Sequence, residues 1–484
     1  MPTMFNLLLF FIHILTVARA ITRPNRQPSA RIAWVAVIML LPLLGVVAYL
    51  MLGETSIGKR RIRRLKAAEE RTARPEVPLT EAIPVEAISE FGFCQSINGL
   101  APLTGNRITL IGCPEAPVNQ PKLDSDSAIA DLVGTIELAT EHVHICFYIW
   151  LDDENGGKVV DAVVAAAQRG VRCRVMVDAL GSRVFIKGKR WQQMHNAGVS
   201  LVAALTDIPR LGHLAVGRLD LRNHRKLVII DNRIAYCGSQ NCADPEFRIK
   251  AGYAPWVDIF LRCEGPVARQ AQYLFLCNWI AETGEPLEEL AAARPLPERF
   301  EPGTIAQMYG TGPSTPGNAM SNSFTGAIYS ATNELFITTP YFVPDESVLR
   351  ALYAAPRRGV KTTMIFPERN DSLLVKYASR SCYPALLSSG VSIFEYPLGL
   401  LHTKSITIDG KMALVGSANM DRRSMQLNFE NNLLIADTCV TAAIRSRQEG
   451  YLSVSNHVTE KSVKDWPFLQ RLIQNTVSMM APIL

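Results

Sequence analysis

Leu400 to Ser424 reads LLHTKSITIDGKMALVGSANMDRRS, and Leu221 to Pro245 reads LRNHRKLVIIDNRIAYCGSQNCADP. Each stretch carries HxKxxxxD followed by GSxN. The first supplies His224, Lys226, Asp231, Gly238, Ser239 and Asn241, and the second His402, Lys404, Asp409, Gly416, Ser417 and Asn419. A lone His at a strand end is usually structural. The chain has only eight histidines, however, and two of them sit in the same long pattern. The stretches therefore read as two halves of one active site, in a chain of 484 residues that is long enough for two or three compact units.

Outward from each stretch the same order of elements recurs. In the first repeat, Ile129, Leu132, Val133 and Ile136 predict a helix over Ala128 to Thr140. VHICFYIW then reads as a buried strand, Lys158 to Gln168 as a helix closed by Gly170, and VRCRVMVDAL as a second strand. The second repeat replays this order with Phe324 to Thr332, ELFITTPYFV, Ser347 to Ala355 and RRGVKTTMIFP. Arg169-Gly170-Val171 corresponds to Arg358-Gly359-Val360, and the later spacings place an insertion in the first repeat between about Leu205 and Asp220. Such an insertion is expected to shape the mouth of a cleft. The fold class is α/β: two similar repeats, each a mixed, mostly parallel sheet flanked by helices, forming one pseudo-dimeric body. The implied divisions are 1–55 as N-terminal membrane segments, 56–120 as basic segment and linker, 121–295 as first repeat and 296–484 as second. Within the linker, RITLIG reads as a strand.

Ile32 to Leu52 carries no charge and is long enough to cross a bilayer as a helix, with Pro42 and Gly45 tolerable there. Phe5 to Val17 is shorter, and the segment before Ala18-Arg19-Ala20 lacks the basic start of a signal peptide, so a transmembrane helical hairpin is expected. The basic cluster from Lys59 to Arg74 outweighs the four arginines between the spans, which predicts a multi-pass protein of the bacterial inner membrane with a cytoplasmic body. KRRIRRLK reads either as a topology anchor or as a site for anionic membrane lipids.

The net charge of +6 lies in that N-terminal region. From Pro75 onward the chain is slightly acidic, which argues against a nucleic-acid partner. Ten cysteines without a CxxC pair, mostly in apolar runs, suggest free thiols in a reducing compartment, and Cys237 and Cys242 lack the partners a metal site needs. Leu469, Leu472, Ile473, Val477 and Met480 give the tail helical spacing; such an amphipathic stretch reads either as lying on a membrane or, the more ordinary outcome, as docked on the protein's own core.

Ser405 to Ile408 and Met412 to Val415 read as strands joined by a two-residue Asp409-Gly410 turn, a register that sets His402 opposite Ser417. An Asp231-Asn232 turn sets His224 opposite Ser239 in the same way. Two lysines, two asparagine amides and two hydroxyls form a donor-rich cradle for a phosphate. Histidines on opposite sides of the phosphorus permit in-line displacement, one attacking and one protonating the leaving alkoxide. The lysines supply the positive charge, so neither metal nor cofactor is called for.

The two copies resemble the HKD motifs of the phospholipase D superfamily. LRNHRKLVIIDN, TTPYFVP, GLLHTKS and the N-terminal hydrophobic segments followed by GKRR resemble bacterial cardiolipin synthases of the two-HKD type. That resemblance implies condensation of two phosphatidylglycerol molecules into cardiolipin and glycerol through a phosphatidyl-histidine. It implies His224 as nucleophile and His402 as acid, then base, with Lys226, Lys404, Asn241 and Asn419 holding the phosphate and Ser239 and Ser417 supporting the cradle. Asp231 and Asp409 complete the motif set as structural partners by the turns. Glu430 is expected to orient the second motif's histidine and Asp258 the first's, each favouring the protonated imidazole. Hydrolysis by the same site, transfer to another headgroup and nuclease activity are the alternatives, and the oligomeric state is open.

Overall fold

The computed structural model describes all residues except 1, 24–27, 54–57, 76–81, 113–120, 207–219, 293–297, 316 and 480–484. The insertion foreseen between Leu205 and Asp220 lies almost wholly outside the described residues.

β1 (Leu103–Ile111) opens the first repeat, followed by β2 (His142–Phe147), β3 (Arg172–Asp178), β4 (Ser200–Ala204), β5 (Leu227–Ile230), β6 (Ile234–Gly238), β7 (Trp256–Val257) and β8 (Phe260–Glu264). The second runs β9 (Thr304–Thr311), β10 (Glu334–Thr338), β11 (Phe342–Val343), β12 (Lys361–Pro367), β13 (Ser392–Tyr396), β14 (Leu400–Leu401), β15 (Ser405–Ile408), β16 (Met412–Gly416), β17 (Met420–Asp421), β18 (Glu430–Ala436) and β19 (Asn456–Val458). Fifteen of these form one sheet in the order β19-β13-β12-β10-β15-β16-β18-β9-β1-β8-β6-β5-β2-β3-β4. From the β9–β1 junction outward the two halves mirror each other, so the pseudo-dimer axis passes between those strands.

Two expectations are corrected here. The sheet is mixed but mostly antiparallel: only β2–β3–β4 and β10–β12–β13 run parallel. The helices between those strands supply the crossovers that parallel pairing requires, whereas β5–β6 and β15–β16 are hairpins inserted beside β2 and β10. The linker strand is also longer than RITLIG and belongs to the first repeat, where β1 pairs with both β8 and β9.

The Val267–Thr283 helix is buried along almost its whole length, with Leu274, Leu276 and Trp279 in a core that also holds Met308, Val415 and Leu433 of the second repeat. The basic run forms the Lys59–Arg71 helix, which docks on that helix through Arg61 and Glu282, 2.6 Å apart. All described cysteines are free, and most are buried.

The N-terminal segment departs from a simple hairpin of two spans. A helix covers Pro2–Thr22, but Ile32 to Leu52 is broken into Pro28–Leu40 and Pro42–Leu52. Leu41, which precedes Pro42, leaves the helical region (φ −124°, ψ 74°), as crowding by the pyrrolidine ring favours. In one straight helix Trp34 and Tyr49 would lie about 22 Å apart. Their ring centroids are 5.4 Å apart, so the chain folds back on itself. Gly45 permits the approach, because a side chain there would strike the Val37 carbonyl. Among the described residues no helix is long and apolar enough to cross a membrane.

The tail forms the Phe468–Met479 helix beside the Leu373–Ser381 helix. Val477 packs with Val343, Val375 and Ala378, but Leu469, Leu472 and Ile473 are exposed, so the expected apolar docking on the core is not what holds it. Met480 lies outside the described residues.

Candidate active site

Two short parallel contacts join the repeats at the ends of the motif strands. β14 pairs with β7, setting Leu401 beside Val257, and the His402 amide donates to the Val257 carbonyl at 2.8 Å. Asn223 bridges Phe429 in the same sense, and the His224 amide donates to the Phe429 carbonyl at 2.9 Å. One residue further along each contact, His402 stands beside Asp258 and His224 beside Glu430.

The side chains complete these crossed pairs. His402 Nδ1 lies 2.6 Å from Asp258 Oδ1, and His224 Nδ1 lies 2.9 Å from Glu430 Oε2. Each carboxylate is held from behind by the serine of its own repeat. Ser239 Oγ donates to Asp258 and accepts from the Ile259 amide, while Ser417 Oγ donates to Glu430 and accepts from the Asn431 amide. Ser424 and Asn428 donate to the second oxygen of Glu430 at 2.8 and 3.2 Å. Thus each repeat's GS serine steadies the carboxylate that orients the other repeat's histidine.

This arrangement overturns the same-repeat assignment, in which Glu430 served His402 and Asp258 served His224. Spacing within one repeat carries no information about a parallel contact between repeats. The register also differs: Ile408 faces Met412 and Ser405 faces Val415, so Asp409, Gly410 and Lys411 form a three-residue turn, and Asp231 to Arg233 form another. Ser417 and Ser239 consequently do not stand across from the histidine of their own motif. Their hydroxyls are engaged by the carboxylates Asp258 and Glu430.

Asp231 and Asp409 lie at the far ends of their strands, seven residues and roughly 20 Å from the histidines at strand rise. Asp231 accepts from the backbone amides of Thr140, Glu141 and His142, and Asp409 from those of Thr332, Asn333 and Glu334, at 2.7–2.8 Å. Burial works to raise each carboxyl, but these donors outweigh it and hold both below the usual Asp range. They tie each turn to the start of β2 or β10 and take no place in the site.

At the centre, Lys226 Nζ donates to the His224 carbonyl at 2.8 Å, and Lys404 Nζ lies 2.8 Å from the His402 carbonyl and 3.1 Å from His402 Nε2. Burial pushes both imidazoles down to about 4 despite their carboxylates, with the lysines adding to the effect. Burial thus works against the expected protonated imidazole; each ring meets its carboxylate through Nδ1 and presents Nε2 to the site, that of His402 beside Lys404. Burial likewise lowers Lys226 to about 8 and Lys404 to about 7. It works to raise Asp258 and Glu430, but the histidine and lysine beside each outweigh it and keep the carboxyl below its ordinary range. Asn241 Oδ1 accepts from the Ile149 amide at 3.3 Å, and Asn419 is buried near the β17 entry.

Aromatic rings wall the pair. Tyr148 stands edge-on to His224 at 4.9 Å between centroids, Trp256 lies 4.6 Å from His402, and Tyr341 lies 6.4 Å from His402 while donating to Asp371 at 2.7 Å.

A family model described as cardiolipin synthase, PLD-like domain, matches residues 132–252 and again 324–450, and a phospholipase D-nuclease N-terminal model matches 7–54. The curated cardiolipin synthase A of Cronobacter sakazakii is 36% identical over 98% of this chain and 97% of its own length. That of Serratia proteamaculans is 37% identical over 100% of this chain and 99% of its own. The chain belongs to the cardiolipin synthase family of phospholipase D-like proteins. The crystal structure of phosphatidylserine synthase from Haemophilus influenzae Rd KW20 superposes with a TM-score of 0.59 at 13% identity, covering 82% of this chain and 100% of that one, a likeness of fold alone.

In this member of the cardiolipin synthase family the site holds residues that the motifs did not announce. Tyr148 and Tyr341 each follow the first inner strand of their repeat by a few residues, a correspondence visible in CFYIW and TTPYFVP. Trp150 and Phe342, close to them in sequence, are instead fully buried core. Trp256 carries a signal only once β7 is known to pair with β14.

Proposed function

We propose that this chain transfers a phosphatidyl group from one phosphatidylglycerol to another, giving cardiolipin and glycerol. The observation that carries this reading is the pair of histidine–carboxylate dyads wired across the repeats around two lysines. The name shared by full-length curated relatives supports the lipid substrate.

His224 is the nucleophile. Its Nε2 lone pair attacks phosphorus, the bond to the glycerol oxygen breaks, and the departing alkoxide takes the proton of His402 Nε2. The Lys404 contact favours this division of labour, since an ammonium lowered to about 7 lies 3.1 Å from His402 Nε2 and can hand it the proton. The anionic phosphodiester itself favours the imidazolium once bound. In the second step His402 accepts the proton of a hydroxyl on the second phosphatidylglycerol, whose oxygen attacks phosphorus and releases His224. Lys226 and Lys404 stabilise the phosphoryl oxygens, aided by Asn241 and Asn419.

The N-terminal segment is the anchor at the inner (cytoplasmic) membrane, with the body on the cytoplasmic side. Large exposed side chains such as Phe10, Leu15, Leu40 and Leu44 support it, as does the matched N-terminal model. The slightly acidic body argues against nucleic acid.

Incubating the purified protein with phosphatidylglycerol alone tests the reading. Cardiolipin and free glycerol are the expected products, and phosphatidic acid as the sole lipid product overturns it in favour of hydrolysis.

A further inference from the structure

The tail helix Phe468–Met479 is mounted inside out. At 100° per residue, Phe468, Leu469, Leu472, Ile473 and Met479 fall on one stripe about 140° wide. All five are exposed, whereas Gln474 on the opposite face is buried. A surface helix ordinarily turns its apolar stripe to the core, so this stripe faces an external apolar phase.

Its position relative to the site is given by a chain of contacts. The tail helix lies along the Leu373–Ser381 helix, whose own Leu373 and Leu374 are exposed. Two residues before Leu373, Asp371 accepts from Tyr341, which stands beside His402. Lys250 pairs with the same carboxylate, and Ile249 next to it is exposed. The apolar shelf therefore continues to the His402 side of the site mouth.

Charge selects among the phases that could cover it. The tail helix, the Leu373–Ser381 helix and the Arg248–Tyr253 turn contain no carboxylate; of their basic residues Lys250 is paired with Asp371 and Arg380 with Glu395, which leaves Arg248, Lys376 and Arg471 as the charges that border the shelf. Basic side chains bordering an exposed apolar stripe match the interface of an anionic bilayer, where rings and aliphatic chains enter the acyl boundary and cations stay at the headgroups.

We propose that this shelf, with the tail helix at its centre, docks the body onto an anionic phospholipid surface and turns the His402 side of the site toward it. The second phosphatidylglycerol then reaches the acid–base histidine without leaving the bilayer. The inference rests on the lipid-transfer reading, since it is that chemistry that places both substrates in the membrane.

The test uses full-length protein in vesicles of phosphatidylglycerol and phosphatidylcholine. An environment-sensitive fluorophore is attached through Leu472→Cys or, as a control on the opposite face, Ser478→Cys, in a Cys439→Ser background. The Leu472 probe is expected to shift to the blue and to be quenched by spin-labelled lipid, while the Ser478 probe is not. Equal, water-like spectra overturn the proposal, as does a blue shift that appears in lipid-free detergent and grows with protein concentration, which marks a second copy as the occupant. Separately, Leu469→Glu with Leu472→Glu should slow turnover of vesicle phosphatidylglycerol by about tenfold or more and leave a dispersed short-chain analogue nearly unaffected. Equal loss on both substrates contradicts docking. The probe signal needs no turnover, so lipid insertion without cardiolipin formation sinks the transfer reading and leaves the docking surface standing.

Discussion

Asp258 of the first repeat and His402 of the second form a single hydrogen-bonded pair, with Oδ1 2.6 Å from Nδ1. The mirror pair is Glu430 and His224. Labelled-histidine NMR reads this wiring directly. Glu430→Gln should perturb the His224 ring nitrogens and leave those of His402 nearly unchanged, and Asp258→Asn should do the reverse. The opposite pattern would restore the same-repeat assignment.

Loss of either histidine removes one side of the in-line displacement. His224→Ala and His402→Ala are each expected to lower kcat by about 100-fold or more, since a positioned acid or base contributes about 10²–10⁴-fold. The intermediate distinguishes them: His402→Ala should retain phosphatidyl label on protein after mixing with substrate and acid quenching, and His224→Ala should not. Label on His224→Ala alone would exchange the two roles.

The pH dependence of kcat/KM follows from two groups. His224 must be neutral to attack, so activity is present above its value of about 4 and is lost as the pH falls through it. Lys404 must carry its proton to supply His402, so activity is present below about 7 and is lost as the pH rises through it. Arginine keeps the charge but does not give up a proton in this range, so Lys404→Arg should lower kcat sharply, with the residual activity lacking the alkaline limb near 7. An alkaline limb unmoved by that change would remove Lys404 from proton delivery.

Asp231 and Asp409 should matter to stability rather than to chemistry. Replacing either by Ala leaves backbone amides at the start of β2 or β10 without their acceptor, a loss of about 1–3 kcal/mol. The melting temperature is expected to fall, with kcat of the folded fraction retained. Because the folded state holds both carboxyls below the ordinary range, their contribution is present above about pH 4 and disappears as the pH falls further. A kcat collapse without a drop in melting temperature would contradict this role.

Local pattern carried much of this structure. The β5–β6 and β15–β16 hairpins, the helix–strand alternation and the histidines and lysines were legible because their signals lie within a few residues of one another. The β14–β7 pair and the Asn223–Phe429 bridge were not: two-residue contacts between distant segments leave no periodicity, so Asp258 and Glu430 were found but attached to the wrong partners. Ile32 to Leu52 reads as one span because hydropathy is blind to the break that Leu41 and Pro42 introduce and to the packing of Trp34 on Tyr49. The tail stripe was legible as amphipathic, but sequence does not say which way a stripe is turned.

The crossed dyads bear on how such a chain can have arisen and how it can change. Taken alone, a repeat would own a histidine with no carboxylate behind it and a carboxylate with no histidine in front. Two identical single-repeat ancestors related by a two-fold axis would have completed each other in this way, and joining them end to end preserves that mutual debt. Neither half is then free to drift independently, because a lesion at Asp258 disables its sibling's histidine rather than its own.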